Sequence, residues 1–172
     1  MKSDPLTSNP ILLLGFTLGH AVWSISDAEE DELLCPLAFI EKDGILELLR
    51  FESETQEEAI SRGKDYINLH KENASVSSFA REGLFPQQNN VDVILVESWS
   101  NEDSESYGAI QKFVPNEGKG KFQLLDEPII LINGVIQTEE IAKKLKEKLE
   151  HGIQAHSKVA PLWNTWKDRK LS

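Results

Sequence analysis

The four histidines of this chain, His20, His70, His151 and His156, are its best candidates for acid–base or metal chemistry. No two of them have the HExxH spacing that places two imidazoles on one face of a helix. Glu147 precedes His151 by about one helical turn, a spacing found far more often in surface ion pairs than in metal sites. The sequence therefore predicts no metal site and no cofactor.

The stretch around His20 contains the side chains that acid–base catalysis needs: His20, Trp23, Ser24 and Asp27. A carboxylate can orient an imidazole that then takes a proton from a hydroxyl. His20 and Ser24, however, are four residues apart on one predicted helix, where a serine hydroxyl usually bonds the backbone. We favour a hydrogen-bonded core histidine, with catalysis as the alternative, and the sequence identifies no catalytic residue.

Arg50 and Arg81 are each a single cation within a strand-like run. We favour pairing of each guanidinium with a carboxylate in the sheet. Three carboxylates are candidates for this pairing: Glu52, Glu82 and Glu97. The alternative is a ligand pocket between sheet and helices. Four residues would line that pocket: His20, Trp23, Arg50 and Arg81.

Cys35, the only cysteine, lies in an apolar run, which excludes an intrachain disulfide and a multi-cysteine zinc site. We interpret it as a buried, unreactive thiol.

The net charge of the chain limits the classes of molecule that it can bind. The chain has 29 acidic and 18 basic residues, a formal net charge of -11, which argues against nucleic acid and against an anionic membrane surface. Acidic side chains are concentrated in Asp27–Glu32 and Asn101–Glu105. We therefore predict a non-enzymatic binding module, inhibitor- or immunity-like, whose acidic surface engages a basic protein. Glu29, Glu30 and Asp31 would belong to that surface; a small-molecule binder or enzyme is the alternative.

The clearest structural element is a hairpin in residues 32–53. Two apolar-rich runs are joined by Asp43-Gly44, which favours a type I′ turn and predicts that Leu37 faces Arg50 and that Lys42 faces Ile45. Both faces of this hairpin are largely apolar. We therefore expect it to lie inside a sheet that is covered on more than one side.

The remaining patterns predict an α+β fold. A helix begins at Asn9-Pro10, and Gly15 and Gly19 are expected to let it pack closely against the sheet. A capping box at Thr55 begins a helix that ends near His70. Strands are predicted at Val76–Phe85, Val91–Ser100, Tyr107–Val114 and Phe122–Ile132, the last bent or split in two, with a loop over residues 101–106. A third helix follows Thr138 and ends at Gly152. The result is a mainly antiparallel sheet of about five to six strands covered by three helices, in the order α-β-β-α-β-β-β-β-α.

Length and composition predict one domain over residues 1–172, with residues 1–8 loose. The uncharged run at residues 11–26 is too short and too broken for a membrane span. Asp4 and Trp23 fit a signal peptide poorly, so a cytoplasmic protein is predicted.

The C-terminal segment, residues 153–172, contains Trp163 and Trp166. Either the segment folds back over apolar surface of its own chain, or the two rings form an exposed patch for a homodimer or another partner. Both hypotheses predict an ordered chain end.

Overall fold

A single antiparallel sheet of seven strands organises the chain in the computed structural model, which describes residues 5–29, 32–85, 91–116 and 122–168. The strand order is β2-β1-β3-β4-β5-β6-β7. The strands are Leu37–Lys42 (β1), Ile45–Arg50 (β2), Val76–Phe85 (β3), Val91–Ser100 (β4), Asp103–Val114 (β5), Gln123–Ile132 (β6) and Val135–Ile136 (β7). The helices are Pro10–Ser26 (α1), Gln56–His70 (α2), Glu139–Gln154 (α3) and Trp163–Asp168 (α4). The α+β prediction is confirmed, with a seventh strand after the Asn133-Gly134 turn.

The first hairpin has the predicted register, with Leu37 opposite Arg50 and Lys42 opposite Ile45. Its turn residues, Asp43 and Gly44, both have positive φ, as a type I′ turn requires. The hairpin does not, however, lie inside the sheet. Strand β1 pairs on its other side with β3, so β2 is an edge strand and only β1 is buried along most of its length.

Two details of the later strands differ from the prediction. Strand β5 begins at Asp103, so the predicted loop over residues 101–106 is only a tight turn. Strand β6 is continuous, and Asp126, with φ 59°, lies beside the irregularity in its pairing with β5. The backbone there bends without breaking the strand.

The two faces of the sheet are covered unequally. Helix α1, N-capped by Asn9, packs with α3 on one face and forms the main core. Helix α2, N-capped by Thr55, covers β1 and β3 on the other face. No helix among the described residues is long and apolar enough to cross a membrane.

Glycines allow α1 and α3 to cross at backbone contact. A Cβ on Gly15 would overlap the carbonyl oxygen of Leu149, and one on Gly152 would overlap that of Leu12. The prediction that Gly15 and Gly19 face the sheet is therefore wrong, because Gly15 meets α3 and Gly19 meets Val159. Gly152 does not end α3 either, since the helix continues to Gln154.

Replacing Gly15 with alanine is expected to lower the free energy of unfolding by about 2 kcal/mol or more. The added methyl meets a backbone carbonyl that cannot rotate away, and such overpacking outweighs the gain of about 1 kcal/mol in helix propensity. Urea denaturation followed by circular dichroism measures the change. Gly19→Ala is the matched control because its nearest contacts would be side-chain methyl groups of Val159 and Ile153, at 3.3 Å and beyond, and not backbone. Equal losses for the two variants would show that backbone contact at Gly15 is not the cause.

The C-terminal segment folds back over its own chain. Trp163 and Trp166 are 2% and 3% exposed, and α4 lies against β6. The Trp166 ring lies 5.7 Å from that of Phe122, centroid to centroid. The two indoles are therefore core residues of this chain and do not form an exposed patch.

The N-terminal prediction needs a smaller correction. Residues 1–4 lie outside the described residues, but Pro5–Thr7 form a turn of 3-10 helix with Thr7 buried. The backbone N–H of Asn9 donates to the carbonyl oxygen of Pro5, which joins this turn to the start of α1. This part of the predicted loose end is therefore structured.

Candidate functional site

A cavity of about 370 Å³ opens between the C-terminal end of α1, the connection that follows it and the first hairpin. Its volume is in the range of small-molecule sites. The polar and aromatic part of its lining consists of Trp23, Ser24, Asp27, Glu32, Cys35 and Arg50. Leu33, Leu34 and Leu37 contribute apolar surface. We call this cavity the Trp23–Arg50 pocket.

Sheet register brings Arg50 to this pocket. Arg50 pairs with Leu37, and residues paired across two strands point to the same face of the sheet. Leu37 is buried in the core beneath α1, so Arg50 extends toward the end of that helix. The connection from α1 is held by the backbone N–H of Leu34, which donates to Oε1 of Glu82 at 3.1 Å.

Arg81 does not reach this pocket. Its neighbour Ala80 pairs with Leu37 and is buried in the core beneath α1. Adjacent residues of a strand point to opposite faces, so Arg81 is on the other side of the sheet. The structure therefore places Trp23 and Arg50 in the described lining of the pocket, whereas His20 is buried in the core beside Trp23 and Arg81 is separated from all three.

The predicted ion pairs of the two arginines are not found among the described residues. The ion pairs there are Lys42–Glu47, Lys112–Asp126 and Lys167–Glu127. Glu82, one of the proposed partners, instead accepts the backbone hydrogen bond from Leu34. Within the described part of the chain, the guanidinium of Arg50 is thus left without a carboxylate partner at the pocket.

His20 is hydrogen-bonded in the core, and its partner is a second histidine. Nδ1 of His20 lies 2.9 Å from Nε2 of His156, and the residues are 8% and 7% exposed. The other ring nitrogens, Nε2 of His20 and Nδ1 of His156, are buried and have no hydrogen-bond partner in the described part of the chain. Whichever tautomers are present, a neutral pair leaves one buried N–H donor and one buried acceptor unsatisfied. The pair joins α1 to the C-terminal segment.

Burial keeps both imidazoles uncharged near neutral pH. It lowers the pKa of His20 to about 4, and the positive potential of His156 and Arg50 adds to that effect. Burial also lowers the pKa of His156. Both rings are therefore neutral at pH 7.

Two potential nucleophiles, Ser24 and Cys35, belong to the described lining of the pocket. The Ser24 hydroxyl donates to the backbone carbonyl of His20 at 2.8 Å, so it does not form a nucleophile–base pair with that imidazole. Burial raises the pKa of the Cys35 thiol, with the Glu52 carboxylate contributing, so Cys35 remains protonated at pH 7. Neither Ser24 nor Cys35 is therefore an activated nucleophile.

The histidine pair also positions Trp23. The indole lies 5.8 Å from the His20 ring and 6.1 Å from the His156 ring, centroid to centroid. Nζ of Lys158 lies 5.9 Å from the indole centroid. Contacts from α1 and from the C-terminal segment therefore hold the indole in place before any ligand arrives.

The other predicted surface residues are described only in part. Glu29 is exposed, whereas Glu30 and Asp31 lie outside the described residues. Among the residues that are described, no cluster of three or more histidine, cysteine, aspartate or glutamate side chains could hold a metal ion. His156 was not predicted as a site residue because its partner is 136 positions away, so no local spacing links the two.

The Trp23–Arg50 pocket thus combines a guanidinium, an indole and two carboxylates, those of Asp27 and Glu32. Comparisons with family models, curated proteins and solved structures find no significant match to this chain.

Proposed function

We propose that this chain is a non-catalytic binding protein that takes a small organic molecule into the Trp23–Arg50 pocket. The supporting observation is the Arg50 guanidinium, which lines a cavity of about 370 Å³ and has no carboxylate partner among the described residues. A guanidinium binds carboxylate and phosphate through two parallel hydrogen bonds, so the ligand carries such a group. The cytoplasm is the proposed location.

The rest of the lining supports this proposal. A preorganised indole offers a large apolar face at little entropic cost, because the rings around Trp23 already hold it. Leu37 is a buried wall, whereas Leu33 is 57% exposed at the opening. The ligand therefore has an apolar body as well as an anionic group.

Replacing Arg50 with glutamine is expected to weaken anion binding about tenfold or more, because a hydrogen bond to a charged group contributes about 1.5–3 kcal/mol. Isothermal titration calorimetry with benzoate, hexanoate and phenyl phosphate measures this on the full chain. Arg81→Gln is the matched control, since it removes the same charge from the opposite face of the sheet. We expect wild type and Arg81→Gln to bind at least one of these anions equally well. Undiminished binding by Arg50→Gln would rule out the proposal, as would failure of these anions and of L-phenylalanine and L-leucine alike to bind.

A basic protein partner remains a second candidate, as does a homodimer. The basic partner is favoured by the formal net charge of -11 and by exposed acidic residues at the β4–β5 turn, including Glu102 and Asp103. Such binding would weaken steeply with salt and would not depend on Arg50. The Arg50→Gln variant therefore distinguishes the two functions: it should bind a basic partner as tightly as wild type does, but should bind the pocket's ligand more weakly.

A further inference from the structure

We infer that the ligand of the Trp23–Arg50 pocket is zwitterionic, an α-amino acid with an apolar side chain. This inference rests on the proposed function and names its ligand class. Arg50 would bind the carboxylate, whereas Asp27 and Glu32 would bind the ammonium group. All three side chains line the same cavity.

The two carboxylates are available for a ligand. Asp27 and Glu32 are exposed, and neither forms an ion pair with another described residue. From the described residues, Oε2 of Glu32 accepts one long hydrogen bond, 3.4 Å, from the backbone N–H of Glu29. The described part of the pocket lining therefore contains one cation and two anions that do not neutralise one another at ion-pair distance.

This mixture of charges discriminates among ligands. A purely anionic ligand would gain the contact with Arg50 but would be repelled by Asp27 and Glu32, and a purely cationic ligand would meet the opposite conflict. A molecule that carries both charges satisfies both signs of the lining. Discrimination of this kind depends as much on the repulsive contacts as on the attractive ones.

The apolar residues of the lining indicate the chemistry of the rest of the ligand. The indole of Trp23, the exposed Leu33 and the buried Leu37 surround the charged groups. A leucine- or phenylalanine-sized side chain would cover these surfaces, and a cavity of about 370 Å³ has room for it.

The test compares matched triplets by titration calorimetry on the full chain. One triplet is L-phenylalanine, phenethylamine and 3-phenylpropionate, and the other is L-leucine, isopentylamine and 4-methylpentanoate. At least one amino acid is expected to bind tenfold or more tightly than both its amine and its acid. If an acid binds as tightly as its amino acid, the inference fails and the proposed function stands. If no member of either triplet binds, the inference fails, and the panel of anions above decides the proposed function separately.

A charge variant tests the roles of the carboxylates. The double substitution Asp27→Asn and Glu32→Gln is expected to weaken amino-acid binding tenfold or more, while binding of the matched acid is unchanged or tighter. The control replaces Glu102 and Asp103 with glutamine and asparagine, which removes the same charge at the distant β4–β5 turn. Unchanged amino-acid binding by the pocket variant, or an equal loss in the control, would overturn the inference.

Discussion

Replacing Trp163 with alanine is expected to lower the free energy of unfolding by about 3–5 kcal/mol. The indole is 2% exposed, and its centroid lies 6.3 Å from that of Trp166 in an edge-to-face contact. Truncation would leave a cavity between α4 and β6 that the surrounding backbone can fill only partly. Trp166→Ala is expected to act similarly, since Trp166 also packs against Phe122.

Urea denaturation followed by circular dichroism measures these losses. Asn164→Ala and Thr165→Ala are the matched controls, because both residues are exposed in the same helix and should change stability by less than about 0.5 kcal/mol. The tryptophan losses should be the same at low and high protein concentration, because the segment packs on its own chain. A loss that grows on dilution would instead indicate an interface between chains.

Removing residues 154–172 extends this test, because it deletes both indoles together with His156. The truncated chain is expected to lose more stability than either tryptophan variant, again independently of concentration. A truncated chain as stable as wild type would contradict the observed packing.

Acidification from pH 6.5 to 4 is expected to remove about 2 kcal/mol of stability or somewhat more through His20 alone. The folded chain holds the pKa of His20 at about 4, below the ordinary 6.5. Over that interval the unfolded chain binds a proton that the folded chain does not, so stability falls with decreasing pH and levels off below pH 4. His156 acts in the same direction.

Positively charged groups near His20 and His156 add to this loss of stability at low pH. Arg50 from β2 opposes protonation of His20, and Lys158 opposes protonation of His156. Two carboxyl groups act in the opposite sense: burial raises the pKa of Glu82 and of Asp92, so the folded chain takes up their protons more readily than the unfolded chain does.

A comparison with a variant isolates the histidine contribution. The double variant His20→Gln and His156→Gln should lose at least about 2 kcal/mol less than wild type over the same pH interval, whatever its stability at pH 7, because it lacks the contributions of both rings. Proton NMR of wild type gives an independent measurement, in which the His20 ring signals should remain those of a neutral imidazole down to about pH 5. A His20 midpoint near pH 6.5 would contradict the prediction.

Local chemistry made much of this fold predictable from sequence. The register of the first hairpin follows from Asp43 and Gly44, because a two-residue turn with positive φ admits one pairing. Thr55 and Thr138 mark helix starts because their hydroxyls accept backbone N–H groups three residues ahead. Each of these signals acts within a few residues and needs no distant partner.

Predictions that depended on a distant partner were less successful. Gly15 was expected to face the sheet and Gly152 to end its own helix, yet each glycine faces the other's helix at a single crossing. The hairpin was placed inside the sheet because both of its faces are apolar, but apolarity does not identify the neighbour of each strand. That β2 is an edge strand follows only from the pairing of β1 with β3.

For the candidate site, too, the sequence predicted which residues could bind a ligand, and only the tertiary structure decided which of them come together. Residue type alone identified His20, Trp23 and Arg50 as capable of binding a ligand, and it identified Arg81 equally well. Strand parity in the assembled sheet then placed Arg50 in the pocket and Arg81 on the opposite face. The contact between His20 and His156 spans 136 positions, and it exists because packing of the C-terminal segment returns that histidine to α1. Burial and long-range contact arise from the whole chain, so no local pattern of residues encodes them.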